Sequence, residues 1–187
     1  ALEAYEESLA IRRRLAALDP DNVTWQRDLA IGFSFIGSAK QAVGDISAAI
    51  ASHEESLRIL DRLAERHPSK SELLQDISIS LNKLGYAKLA ASDLAGARAA
   101  YDRRLEVARK VAAIDPGNLE WQRSVALGLN QIGIMRNAAG DQAGALAAYD
   151  ESLAIARKIA AADPDNIMRQ PDIEIVLMDI MMPVMDG

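Results

Sequence analysis

The chain has 187 residues, 50% of them apolar and only 4% aromatic, so it can fill a helical core but has little with which to build an aromatic ligand box. A net charge of −6 argues against nucleic acid or an anionic membrane surface as the main partner, because both reward an excess of Lys and Arg. There is no cysteine, which excludes disulfides and thiolate metal sites, and no apolar run reaches the roughly 18 residues needed to cross a bilayer.

In chain order, residues 1–18 predict an amphipathic helix carrying Leu2, Tyr5 and Leu9 on one side and ending at Asp19-Pro20. This charged opening does not resemble a signal peptide, and a cytoplasmic location is expected. A second helix follows over 23–43 and a third over 46–66, separated by Gly44-Asp45, a helix stop followed by an N-cap. Helices over 71–91 and 94–114 are separated in the same way by Ser92-Asp93. The second of these shows the stripe clearly, with Ala97, Ala100-Tyr101, Leu105, Ala108 and Val111-Ala112 at three- and four-residue steps. Asn118 caps a helix over 119–139, with Glu120 favourable in its first turn, and Gly140-Asp141 leads into the last helix, 142–162. Each is about 20 residues, or about 30 Å long. Connections this short force antiparallel neighbours.

The punctuation has a fixed period. Asp19-Pro20, His67-Pro68, Asp115-Pro116 and Asp163-Pro164 are each 48 residues apart, with no insertion or deletion. Gly37, Gly85 and Gly133 recur in every second helix, preceded by Ile36, Leu84 and Ile132. A glycine inside a helix costs about 1 kcal/mol relative to alanine, so its return marks a place where two helices approach too closely for a side chain. Fixed-period self-similarity is the mark of a solenoid, whose units bury their apolar faces by stacking and present a long surface instead of a closed pocket.

These residues resemble the tetratricopeptide repeat. Leu84-Gly85, Ser92, Ala97 and Tyr101 fit its signature, as do Ile132-Gly133, Gly140, Ala145 and Tyr149. The earliest copy has His53 in place of the aromatic residue. The family's unit is about 34 residues; this longer unit, with Trp25 and Trp121 in the added stretch, looks like a long-repeat bacterial version. The resemblance covers residues 1–166. It implies an all-α, right-handed solenoid of antiparallel helix pairs, with about seven long helices.

It also implies a non-enzymatic interaction scaffold, binding a protein or peptide on a concave face made by the first helix of each pair. By repeat position that face carries Ser34, Asn82 and Asn130, then Ser38, Tyr86 and Ile134, then Gln41, Leu89 and Asn137. Lys40, Lys88 and Arg136 share a further position, a basic ladder suited to a carboxylate-rich or extended peptide. No cofactor, metal, nucleic acid or membrane is expected as a partner. His53 and His67 lack a second ligand at useful spacing, and His53 reads as a core residue. The clusters Glu6-Glu7, Glu54-Glu55 and Asp150-Glu151 read as a solvated face, and the tryptophans as inter-helix packing. The apolar face of the first helix, open at Leu2, Tyr5 and Leu9, predicts end-to-end self-association.

After Asn166 the period fails. Ile173-Glu174-Ile175-Val176-Leu177-Met178-Asp179, followed by Met182-Pro183-Val184-Met185-Asp186-Gly187, closely resembles the third strand and loop of a two-component receiver domain. The resemblance makes Asp179 a phosphoacceptor by position, in a fragment of a signalling protein. Residues 167–187 are therefore read as a receiver-like tail that is incomplete, because the helical sequence upstream supplies neither the acidic pair that holds Mg²⁺ nor the neutralising cation. The tail has two conformational readings. Its β-propensity favours an isolated strand, whereas Ile173, Val176-Leu177, Ile180-Met181 and Val184 form a stripe suited to a capping helix in the eighth slot, which burial favours.

Overall fold

The computed structural model describes residues 2–162. Among these the fold is all-α, with seven helices: α1 (Leu2–Leu18), α2 (Val23–Ala42), α3 (Ile46–Arg66), α4 (Ser71–Ala90), α5 (Leu94–Ile114), α6 (Leu119–Ala138) and α7 (Gln142–Ala162). Every expected helix is present within a residue of its expected ends. The tail and Asp179 lie outside the described residues.

Local chemistry sets the ends. Asn22 Oδ1 accepts from the Trp25 amide at 3.1 Å and Asn118 Oδ1 from that of Trp121 at 3.2 Å. Asp45, Asp93 and Asp141 do the same for the amides of Ala48, Gly96 and Gly144 at 3.2, 2.8 and 2.9 Å. Each satisfies an amide that the first turn leaves without a helical acceptor. Lys70 stands at the start of α4 without a side-chain cap. Gly44 (φ 85°), Ser92 (φ 60°) and Gly140 (φ 80°) take the left-handed conformation that closes α2, α4 and α6. The amides of Asp45, Asp93 and Asp141 then bond back to the carbonyls of Lys40, Lys88 and Arg136, each at 2.9 Å, in a Schellman turn.

The chain divides into two compact units, Ala1–Val107 and a second beginning at Ala108. In the first, α2 packs on α1, α3 and α4, and α3 also packs on α4. Ala30, Leu57, Leu60, Leu73, Ile77 and Leu81 fill the centre of its core. Leu9, expected on an open face, is instead buried and reaches Gly32 of α2, while Tyr5 stays 43% exposed and stacks on Phe35 with ring centroids 5.9 Å apart. In the second unit α6 packs on α7, and the buried Ser152 Oγ donates to the Ala126 carbonyl at 2.9 Å.

The recurring glycines meet rings. A Cβ at Gly37 would lie 2.5 Å from His53 Cε1, one at Gly85 2.5 Å from Tyr101 Cε1, and one at Gly133 2.7 Å from Tyr149 Cδ1. Tyr101 is fully buried and has nowhere to swing. Gly85→Ala is therefore expected to lower stability by about 1–3 kcal/mol through overpacking, despite alanine's higher helix propensity. Urea denaturation reads this directly; a variant as stable as the parent would show that the contact does not limit the approach.

Candidate functional site

The first helix of a pair turns its Ile-Gly or Leu-Gly step toward the second helix, so residues a turn away face elsewhere. On α2 and α4 those residues line a groove of about 190 Å³. Phe35 comes from α2 and Ile79 and Lys83 from α4, while Ser56 of α3 lies on its floor. Phe35 and Ile79 are large apolar side chains left 46% and 55% exposed. Ser56 and Ser80 hydroxyls bond to each other at 3.2 Å in the floor, so neither is a buried orphan.

Two polar links join α2 to α4 across this groove. Arg27 holds Asp76 with two bonds, Nε to Oδ2 at 2.5 Å and Nη2 to Oδ1 at 3.2 Å. The hydrogen bond to Asp76 raises the guanidinium pKa. Lys83 Nζ donates to Ser34 Oγ at 3.0 Å and lies 5.5 Å from the centre of the Phe35 ring. Burial pushes the Lys83 ammonium below the usual lysine range.

The expected site residues fall into two groups. Ser34 is buried and bonded to Lys83, Asn82 is half-buried, and Tyr86 is 51% exposed with its ring edge-on to Tyr101 at 6.0 Å. Ser38 Oγ donates to the Ser34 carbonyl at 3.1 Å. Gln41 and Leu89 are half-buried. In the second unit Asn130 is half-buried, Asn137 is exposed, and Ile134 is 52% exposed. The basic ladder lies elsewhere. Lys88 pairs with Glu54 at 3.3 Å and Asp93 at 3.7 Å, and Arg136 Nη1 donates to the Gly144 carbonyl at 3.1 Å. Lys40 is half-buried in a hollow with Glu6, Arg13 and Ser52. These three cations stand in the last turn of their helices, where a positive charge offsets the helix dipole.

Phe35, Ile79, Lys83 and the Arg27–Asp76 pair were not among the expected site residues. Both cross-groove links join residues 49 apart, one more than the period, so matching equivalent positions cannot find them. Among the described residues no group of three or more His, Asp or Glu is placed to hold a metal ion, and no helix is long and apolar enough to cross a membrane.

No protein-family model matches the chain, and no curated protein matches it. Among solved structures it is similar to BtubC (BKLC) from P. vanneervenii, at 17% identity and a TM-score of 0.62, over 100% of this chain and 74% of that one. That likeness is one of fold. MamA aligns at 16% identity over 84% of this chain and 91% of that one, with a TM-score of 0.29, and a MamA RS-1 double mutant at 14% with 0.28. The chain is thus a helical-repeat protein.

His53 of α3 lies against Gly37 of α2. It is fully buried, and neither ring nitrogen has a hydrogen-bond partner. Burial, aided by the Lys83 charge, pushes its pKa from 6.5 down to about 4. Above pH 6.5 the ring is neutral in both folded and unfolded chains and pH has no effect through it. Between 6.5 and 4 the unfolded chain takes up a proton that the folded chain refuses, so stability is lost as the pH is lowered. The loss is about 3 kcal/mol by the acid end of that window. Chemical denaturation from pH 7 to 4 is expected to show this loss relative to His53→Phe, which keeps a ring over Gly37 without the titration; parallel curves would remove His53 as the cause.

Proposed function

We propose that the chain is a non-enzymatic scaffold that docks a peptide or protein partner on its first helices. In the Ala1–Val107 unit the contact is carried by α2 and α4, through Ser34, Phe35, Ile79, Asn82 and Tyr86. In the second unit Asn130, Ile134 and Asn137 of α6 occupy the matching repeat positions. The observation that carries the reading is the exposure of Phe35 and Ile79 on a groove floored by hydroxyls, with Tyr86 exposed further along α4. Large apolar side chains bordered by hydrogen-bonding groups suit an extended segment, which offers side chains to the former and its backbone to the latter. Lys40, Lys88 and Arg136 frame the turn end of the helices, and the docking contact does not depend on them.

Peptide-array capture on the whole chain tests this. Binding is expected to drop at least about tenfold on Phe35→Ala or Tyr86→Ala, the size of loss typical of a central aromatic anchor. Neutralising Lys40, Lys88 and Arg136 together is expected to leave it within a few-fold. Capture indifferent to both aromatic residues would refute the docking face.

Self-association is a second partner reading, supported by Ile11 and Leu18 of α1, which are 58% and 77% exposed. Light scattering is expected to show a mass that rises with concentration and falls on Leu18→Lys; a constant monomer mass at high concentration would overturn it.

A further inference from the structure

We propose that a cavity between the α1–α2 turn and the C-terminal half of α3 binds a phosphate monoester, with Arg62 and Arg66 on the phosphoryl oxygens and the apolar body of the ligand resting on Ile59 and Leu63. The cavity shares no lining residue with the groove between α2 and α4, so the site is independent of the docking contact.

The cavity encloses about 330 Å³, within the range of small-molecule sites. Ile59 and Leu63, both buried, form its floor, and Pro20 of the α1–α2 turn forms a wall. Arg62 and Arg66 stand at its edge one helical turn apart, with about 5–6 Å between their Cβ atoms. Neither guanidinium is firmly held. Arg62 Nε donates to the Arg58 carbonyl at 3.3 Å, which leaves its two Nη groups, and no carboxylate pairs with it among the described residues. Its acidic neighbours on α3 are taken, Glu55 by Arg58, Nε to Oε2 at 2.8 Å, and Asp61 by Arg103. Arg66 has Asp21 at 3.4 Å, in a pair whose side chains are 65% and 92% exposed. A pair that open contributes little, and an incoming dianion displaces the aspartate.

The two forks narrow the anion. A carboxylate fills one guanidinium with its two oxygens, whereas the third oxygen and second charge of a phosphoryl group engage the other as well. The doubled charge is also particular to this unit. Arg14, Lys110 and Lys158 share the repeat position of Arg62, so one cation there belongs to the common framework of the helix end. Leu18, Ile114 and Ala162 share the position of Arg66, so the framework does not call for the second. The buried floor beside the arginines gives the phosphate an apolar body to carry. A chain of net charge −6 has no broad positive field, so two local arginines select a single phosphate group and not a polynucleotide.

Isothermal titration of the intact chain with phenyl phosphate tests this. One saturable site is expected, weakened at least about tenfold by Arg62→Gln and by Arg66→Gln, and tightened by Asp21→Asn, which removes the competing carboxylate. Arg98→Gln, at an exposed arginine of α5 outside the cavity, is expected to leave the affinity unchanged. Inorganic phosphate, without the apolar body, and benzoate, without the second charge, should each bind at least about tenfold more weakly. Both cavity arginines are exposed, and circular dichroism confirms that their variants fold. A phosphotyrosyl peptide that binds as tightly as phenyl phosphate, while its unphosphorylated form does not, would assign a phosphorylated protein as the source of the group. A peptide that fails where phenyl phosphate binds would assign a free small molecule. Absence of binding, an affinity unmoved by both arginine substitutions, or benzoate binding as tightly as phenyl phosphate would overturn the proposal.

Discussion

The contact between a helix glycine and a ring from the following helix is the constraint on which the other features depend. Gly37 meets His53, Gly85 meets Tyr101 and Gly133 meets Tyr149, at distances a Cβ would not allow. Each glycine forgoes about 1 kcal/mol of helix propensity, and the close approach it permits buries a whole ring. The contact also fixes how each first helix is rolled about its axis. With Ile36-Gly37 turned inward, Phe35 and Ser38 cannot also face the core; with Leu84-Gly85 turned inward, Lys83 and Tyr86 are directed to the other side. The groove is a consequence of the glycine. Tyr5 shows the converse, since no glycine receives it among the described residues and it lies half-exposed on Phe35.

His53 separates two demands of that position. Shape requires a flat ring over Gly37, and imidazole supplies one. Hydrogen bonding requires partners for two nitrogens, and neither has one. A buried polar atom without a partner costs about 1–3 kcal/mol, a cost that the tyrosines at the same position avoid by presenting a ring edge of carbon to their glycines. Nothing in the structure explains why this repeat carries the imidazole. Its effect is nonetheless local and definite: burial disfavours the charged form of the ring that lies over Gly37.

The helices were legible because their signals are local. Asn22, Asn118 and the three aspartates each bond the amide three residues on, and a glycine or serine in the left-handed region sits beside each aspartate, so a fixed period repeats the whole device. The groove was less legible because its links are neither local nor periodic. The period that marks the repeat does not mark the groove. Lys40, Lys88 and Arg136 recur at the end of every second helix, where the same turn returns and a cation offsets the helix dipole. Lys83 has Phe35 and Gln131 at its own repeat position, so it forms no ladder.

The separation of 49 explains why a regular framework carries an irregular groove. Arg27 meets Asp76 and Ser34 meets Lys83, each pair one period and one residue apart. The residues that face each other across α2 and α4 are therefore never copies of one another. Framework positions, such as the glycine and its ring, pair the same two columns within each unit of the repeat. Groove positions pair two different columns of the repeat, so a substitution in either column changes one junction without disturbing the glycine contact that holds it. Chemical variety in such a chain is accordingly free to concentrate where neighbouring columns differ, as they do at Ser34 and Lys83.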